Sequence, residues 1–174
     1  KWDYEFDVVV VGSGNGALTA ALCSHDGGAK TLVIEKSDQF GGTSATSGGG
    51  VWIPNNRYAK AENVDDSTED ARDYINSVSP PGKIKDELVE TYLSEAPKMI
   101  DYLHENSQVK YRNLAHYPDY FPDNPGGKAG NRSMEPEPIY GTKLGKDLGK
   151  LREQHPQTAF TMGPINMNFT QVEG

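Results

Sequence analysis

Val8, Val9, Val10 and Val11 form an unbroken apolar run that stops at Gly12, the pattern of a strand buried on both faces of a parallel sheet. From Gly14 to His25 the period changes. Ala17, Leu18, Ala21 and Leu22 recur at three- and four-residue spacing, which predicts a helix, and Gly27-Gly28 supplies a left-handed stop. Thr31 to Glu35 is a second short apolar run. Strand, glycine turn, helix and strand make one βαβ unit with a right-handed crossover, so Gly12 and Glu35 are expected at neighbouring strand ends.

Helical spacing returns further on. Ser67 is placed to cap a helix carrying Ala71, Tyr74, Ile75 and Val78, with Asp70 in a capping-box position, and Pro80-Pro81-Gly82 ends it. Ile84, Leu88, Tyr92 and Leu93 mark a longer helix. Pro97 is expected to open a new helical turn, and Met99, Ile100 and Leu103 continue the buried stripe. Pro118, Pro122, Pro125, Pro136 and Pro138, interleaved with Tyr117, Tyr120 and Phe121, predict an ordered aromatic loop without regular structure. Residues 141–174 show little periodicity.

Charge and composition narrow the function classes. With 17 basic against 25 acidic residues the net charge is −8, the wrong sign for general attraction to nucleic acid or an anionic membrane, so a small molecule is the expected ligand. No apolar run approaches the ~20 residues of a membrane-spanning helix, and no basic-then-apolar leader is present. Cys23 stands alone, which excludes an intrachain disulfide and suits a reducing compartment; the expectation is a soluble cytoplasmic protein. His25, His104, His116 and His155 lack metal-ligand spacing and read as surface residues. Asp65, Asp66, Glu69, Asp70 and Asp73 cluster at a helix start, where carboxylates favour the macrodipole, so no metal site is expected.

The chemistry lies in two glycine clusters. Gly12, Gly14 and Ala17 satisfy the G-x-G-x-x-G/A fingerprint between a predicted strand and a predicted helix. Gly12 permits the tight turn, Gly14 lets backbone approach a pyrophosphate, and Ala17 allows close helix packing, while the amides around Asn15 and Gly16 face the phosphates. Glu35 is positioned to receive ribose hydroxyls, and its charge disfavours a 2′-phosphate. The second cluster, from Phe40-Gly41-Gly42-Thr43-Ser44 through Ser47-Gly48-Gly49-Gly50 to Trp52-Ile53-Pro54, follows directly. A nicotinamide cofactor has no need of it; the longer FAD does, and the packed Trp52-Ile53-Pro54 excludes a plain flexible linker. The fold class is therefore α/β: the N-terminal part of a Rossmann-like FAD-binding fold with a helical and loop-rich insertion. The expected organisation is a βαβ unit with the second glycine segment over 1–60, a helical segment over 61–115 and a loop-rich segment over 116–174. Two strand signals fall short of a dinucleotide-binding sheet, so further strands are expected C-terminal to these residues.

On these motifs, together with Glu35-Lys36 and Tyr117-Pro118-Asp119-Tyr120-Phe121, the chain resembles the flavoprotein family of fumarate reductases and 3-ketosteroid dehydrogenases. It is most similar to the 3-ketosteroid Δ1-dehydrogenases. The resemblance implies a bound FAD held by Gly12, Gly14, Asn15, Gly16, Ala17, Glu35, Lys36, Gly42, Thr43, Ser44, Ser47, Gly48 and Gly49. It implies non-covalent attachment, because Thr43 stands where succinate dehydrogenases carry a flavin-linked histidine. It implies removal of hydrogens from adjacent carbons of a 3-ketosteroid A-ring, with Tyr120 as a catalytic supporting donor, Tyr117 packing on the steroid, an electron acceptor, and the principal base outside this chain. Read from the residues alone, Tyr117, Tyr120 and Phe121 favour a loop anchor over a site, because tyrosine offers apolar area and a polar tip; it is the resemblance that brings the site reading level. Asp119 reads as a loop cap and Arg132 as a surface or loop-bracing residue. The alternatives are a fumarate-reductase-like or other unsaturated-carbonyl reductase, and a non-catalytic FAD-binding fragment.

Overall fold

A computed structural model describes residues 2–153 and the strand residues 161–162 and 165–166. It divides the described residues into two compact units, one of residues 2–49 with 138–153, 161–162 and 165–166, and one of residues 50–137. The boundaries differ from the expected 1–60, 61–115 and 116–174. The helical segment and the aromatic loop fall in one unit, and residues 138–153 return to the first.

In the first unit, β1 (Val8–Val11) and β2 (Thr31–Ile34) pair in parallel, Val8 opposite Thr31 and Val11 opposite Ile34, joined through α1 (Asn15–Asp26). The βαβ expectation holds. Helix α1 stops where Gly27 donates to the Cys23 carbonyl and Gly28 turns left-handed. The valine run is not buried on both faces among the described residues: Val9 is 52% and Val11 78% exposed. Among the described residues α1 is the main cover of this two-stranded pair, and alternate valines face outward. Leu18 of the predicted helical stripe is likewise exposed. Phe40 joins Leu151 in a parallel bridge, fixed by bonds from Phe40 N to Lys150 O and from Arg152 N to Phe40 O. A 3₁₀ segment over Gly141–Lys150, broken at Gly145, leads into that bridge.

The second unit is built on β3 (Val51–Trp52), α2 (Arg57–Ala61), α3 (Thr68–Val78), α4 (Asp86–Asn106), β4 (Tyr111–Asn113) and β5 (Ser133–Pro136). The strands form an antiparallel sheet ordered β3-β5-β4, with Met134 between Val51 and Asn113. Neither β4 nor β5 is expected from the sequence, and β5 replaces the end of the loop predicted without regular structure. Ile53, Ala96, Ile100, Tyr111 and Met134 make the core beneath this sheet, and Ala71, Val89 and Leu93 pack α3 against α4. Ser67 caps α3 as expected, its Oγ receiving the Asp70 amide at 3.0 Å, although the Ser67 amide donates to Asp66. Two expectations for α4 need correction. Pro97 lies inside one continuous helix instead of opening a new turn, and the buried row runs through Val89, Leu93, Ala96, Ile100 and Leu103, leaving Ile84, Leu88 and Tyr92 exposed.

Candidate cofactor site and aromatic cleft

The turn after β1 is made by Gly12, whose φ of 101° belongs to glycine and whose N–H donates to the Ile34 carbonyl at 2.7 Å. Gly14 then caps α1 with extended backbone. The first intrahelical bond runs from Leu18 N to the Gly14 carbonyl, so the amides of Gly16 and Ala17 precede any helical acceptor and remain for a ligand. A methyl group placed on Gly12 or Gly16 meets no atom within 4 Å. Open space therefore faces the turn, beside amides carrying the positive end of the helix dipole.

The second glycine segment folds onto this turn. Gly42–Thr46 is a short 3₁₀ turn, and Ser44 Oγ receives the Asn15 amide at 3.0 Å. A Cβ on Gly42 would lie 3.5 Å from the Gly14 Cα, and one on Gly14 would lie 3.4 Å from Ser44 Oγ. Gly14 thus accommodates the second segment as well as the expected phosphate. Ser13, which the sequence reading passed over, is the join: 3% exposed, it donates to Glu35 Oε2 at 2.5 Å and receives the Gly41 amide at 2.9 Å. Its signal was a hydroxyl in the variable position of the fingerprint. Glu35 Oε1 receives the Ser37 amide at 3.1 Å. The Ser13 hydroxyl, followed by this backbone bond, holds the Glu35 carboxyl below the usual carboxylate range.

The structure therefore brings together Gly12, Gly14, Asn15, Gly16, Ala17, Glu35, Gly42 and Ser44. Thr43 is exposed on the same 3₁₀ turn, its carbonyl receiving Thr46 Oγ1. Lys36 follows Glu35 on the surface. Ser47, Gly48 and Gly49 lie past the turn, with Ser47 Oγ receiving the Gly49 amide at 3.0 Å. Free amides, a carboxylate and a side-chain-free floor fit a long ligand that presents a pyrophosphate and a ribose.

The second unit holds a cleft of about 300 Å³ lined by Trp52, Tyr74, Val78, Tyr117, Tyr120 and Phe121, among others. Its base is a buried ion cluster. Arg132, 1% exposed, donates from Nη2 to Asp66 at 2.8 Å and from Nη1 to Asp119 at 2.9 Å, and lies against the rings of Trp52 and Tyr74. Asp119 also receives the Trp52 indole N–H at 2.6 Å and the Lys128 amide at 3.0 Å. Arg132 is thus a loop brace and not a surface residue, and both carboxylates it orients belong to this chain. Asp119 caps the loop as expected. Tyr120 is 83% exposed on the cleft rim and Tyr117 is half-buried. The acidic group divides: Asp66 serves Arg132, while the Lys128 ammonium at 2.8 Å is the main reason the Asp70 carboxyl is more acidic than usual. His104 is half-buried and hydrogen-bonded to the Tyr58 hydroxyl at 2.8 Å, not a free surface residue; His155 lies outside the described residues. Among the described residues no group of ligating side chains is placed to hold a metal ion, and no helix is long and apolar enough to cross a membrane.

Comparison with known proteins bears out the family. The FAD binding domain matches residues 7–168. The 3-oxosteroid 1-dehydrogenase of Mycolicibacterium smegmatis is 38% identical over 168 residues, covering 97% of this chain and 29% of the relative. That of Mycobacterium tuberculosis is 41% identical over 170 residues, with the same coverage. The crystal structure of 3-ketosteroid Δ1-dehydrogenase from Sterolibacterium denitrificans, in complex with 1,4-androstadiene-3,17-dione, superimposes with a TM-score of 0.87 at 39% identity, over 96% of this chain and 29% of that one. The chain thus spans 29% of the length of each of these relatives. Matched over most of its length by that domain and by these dehydrogenases, the chain belongs to the FAD-binding domain family and has FAD as its cofactor.

Proposed function

We propose that this chain is the FAD-binding part of a 3-ketosteroid dehydrogenase that forms a double bond between adjacent A-ring carbons. The observation that carries the reading is the closing of the second glycine segment onto the fingerprint turn through Ser13 and Ser44, in a chain 38% to 41% identical to 3-oxosteroid 1-dehydrogenases. The Gly16 and Ala17 amides, over the open floor of Gly12 and Gly14, face the pyrophosphate, and Glu35 receives the adenosine ribose hydroxyls, with Lys36 beside it. Gly42, Thr43, Ser44, Ser47, Gly48 and Gly49 run along the flavin half. Thr43 supplies no imidazole for a covalent link, so attachment is non-covalent. Bound FAD supplies the hydride acceptor.

The aromatic cleft takes the flat, apolar steroid, with Tyr117 against its face. Its Trp52 wall has the indole N–H already committed to Asp119, which leaves an apolar ring face toward the ligand. Tyr120 offers its hydroxyl as a donor that supports a base supplied outside this chain; the base removes the proton next to the ketone. Turnover then requires an electron acceptor. The exposed lone Cys23 is in keeping with a reducing cytoplasm.

The test is an anaerobic visible spectrum of the natural protein carrying this chain, before and after addition of a 3-keto-4-ene steroid. Bleaching of the flavin bands is the expected result. A yellow protein that does not bleach overturns the substrate assignment, and a colourless one overturns the cofactor site.

A further inference from the structure

The hydroxyl of Ser13 has one proton to give and lone pairs with which to receive. Its position is buried, and it receives the Gly41 N–H at 2.9 Å, which leaves its own proton for Glu35 Oε2 at 2.5 Å. The other carboxylate oxygen receives the Ser37 N–H at 3.1 Å. With one donor fixed on each oxygen, the Glu35 carboxylate cannot turn without breaking a bond, and its remaining lone pairs point in fixed directions. Both bonds go to a charged acceptor, and the Ser13 bond is the shorter of the two. The same hydroxyl ties down Gly41, whose φ of 109° starts the 3₁₀ turn that brings Ser44 to the Asn15 amide.

We propose that Ser13 is a positioning residue for the cofactor: it orients Glu35 toward the adenosine ribose and clips the second glycine segment in place, so that the ribose and pyrophosphate contacts form together. The inference rests on the reading of Glu35 as the ribose acceptor. It gives the variable position of the fingerprint a task that the glycines on either side cannot perform, because only a hydroxyl both gives and receives here.

The test uses the natural protein carrying this chain, stripped of flavin and titrated with FAD and with an FAD analogue lacking the 2′-hydroxyl of its adenosine ribose. Ser13→Ala is expected to weaken FAD binding about tenfold, the worth of one hydrogen bond to a charged group, and the analogue only about twofold, so that discrimination between them shrinks. Ser13→Thr, which keeps the hydroxyl, is expected to retain it. If Ser13→Ala does not fold, Ser13→Cys carries the test, its weak thiol losing discrimination in the same direction. Equal weakening of both ligands, or none, overturns the inference. Glu35→Gln separates the two levels. If it leaves discrimination intact, the ribose reading of Glu35 fails and the inference with it; if it abolishes discrimination while Ser13→Ala does not, Ser13 alone is misassigned.

Discussion

Replacing Arg132 by methionine removes a guanidinium that is 1% exposed and leaves Asp66 and Asp119, with side chains 5% and 2% exposed, without their shared cation. Four hydrogen bonds disappear: three to Asp66, from Nη2 and twice from Nε, and one to Asp119 from Nη1. Breaking a buried ion pair by deleting one partner costs about 3–5 kcal/mol, chiefly because a charge is stranded in a poor dielectric. Here two charges are stranded on one cation's removal, while other donors partly compensate: Asp66 keeps the Asn55 and Ser67 backbone amides, and Asp119 keeps the Lys128 backbone amide and the Trp52 indole N–H. The expected loss is therefore about 4 kcal/mol, inside that range. Equilibrium urea unfolding followed by tryptophan fluorescence measures it, since Trp52 lies over the guanidinium. Arg132→Lys keeps the charge but loses the planar fork that spans two carboxylates, and is expected to lie between wild type and methionine. Combining Arg132→Met with Asp66→Asn and Asp119→Asn removes the stranded charges and is expected to recover most of the loss. A methionine variant within about 1 kcal/mol of wild type, the worth of an exposed pair, would refute the reasoning, as would a triple variant no more stable than the single one.

Three other outcomes follow from the geometry. Pro97→Ala restores a donor to the Leu93 carbonyl within α4 and is expected to stabilise by about 2 kcal/mol, the helical penalty of proline less its entropic benefit in the unfolded chain, as thermal unfolding will show. Because the folded-state pKa of Glu35 is depressed, with the Ser13 bond as first cause, its contribution to stability is present above the ordinary carboxylate pKa and is lost as pH falls through the folded value; Ser13→Ala should raise that pKa, read by carboxyl NMR titration. Tyr120→Phe, at an exposed rim position, should leave unfolding within about 0.5 kcal/mol of wild type and lower kcat on a 3-ketosteroid; unchanged turnover would exclude a required hydroxyl.

The parts of the fold that were legible are those whose signals are local. A four-valine strand, a glycine that must turn at positive φ, a helix period and the Ser67 cap each act within a few residues. What was missed depends on partners far along the chain. Tyr111-Arg112-Asn113 and Ser133-Met134-Glu135-Pro136 have neither alternation nor branched residues enough to read as strands. They pair because Arg112 faces Glu135 across the ladder and Met134 reaches the core. Helix α4 offers two rows at helical spacing, Leu88-Tyr92, continuing the spacing of Ile84 ahead of the helix, and Val89-Leu93-Ala96-Ile100-Leu103. Period alone cannot choose between them; packing against Ala71 of α3 selects the second. Pro97 is carried within the helix because residues on both sides of it, Leu93 and Ala96 before and Ile100 after, are held in the cores, and that burial outweighs one missing bond.

In the aromatic segment the residue expected as a loop cap, Asp119, carries the bonds that hold the loop. Tyr117-Pro118-Asp119-Tyr120 invites a search for chemistry at its charged member, yet Asp119 is the residue turned inward: three donors, from Arg132, Trp52 and the Lys128 amide, surround it with structure. Burying Asp119 fixes the backbone on either side of it, where Tyr117 and Tyr120 line the cleft. Both tyrosines line the cleft beside an Asp119 whose bonds to Arg132, Trp52 and the Lys128 amide hold the loop. The two kinds of residue should separate by experiment: substitutions at Asp119 must move stability and ligand binding together, whereas substitutions at Tyr120 can move ligand chemistry alone.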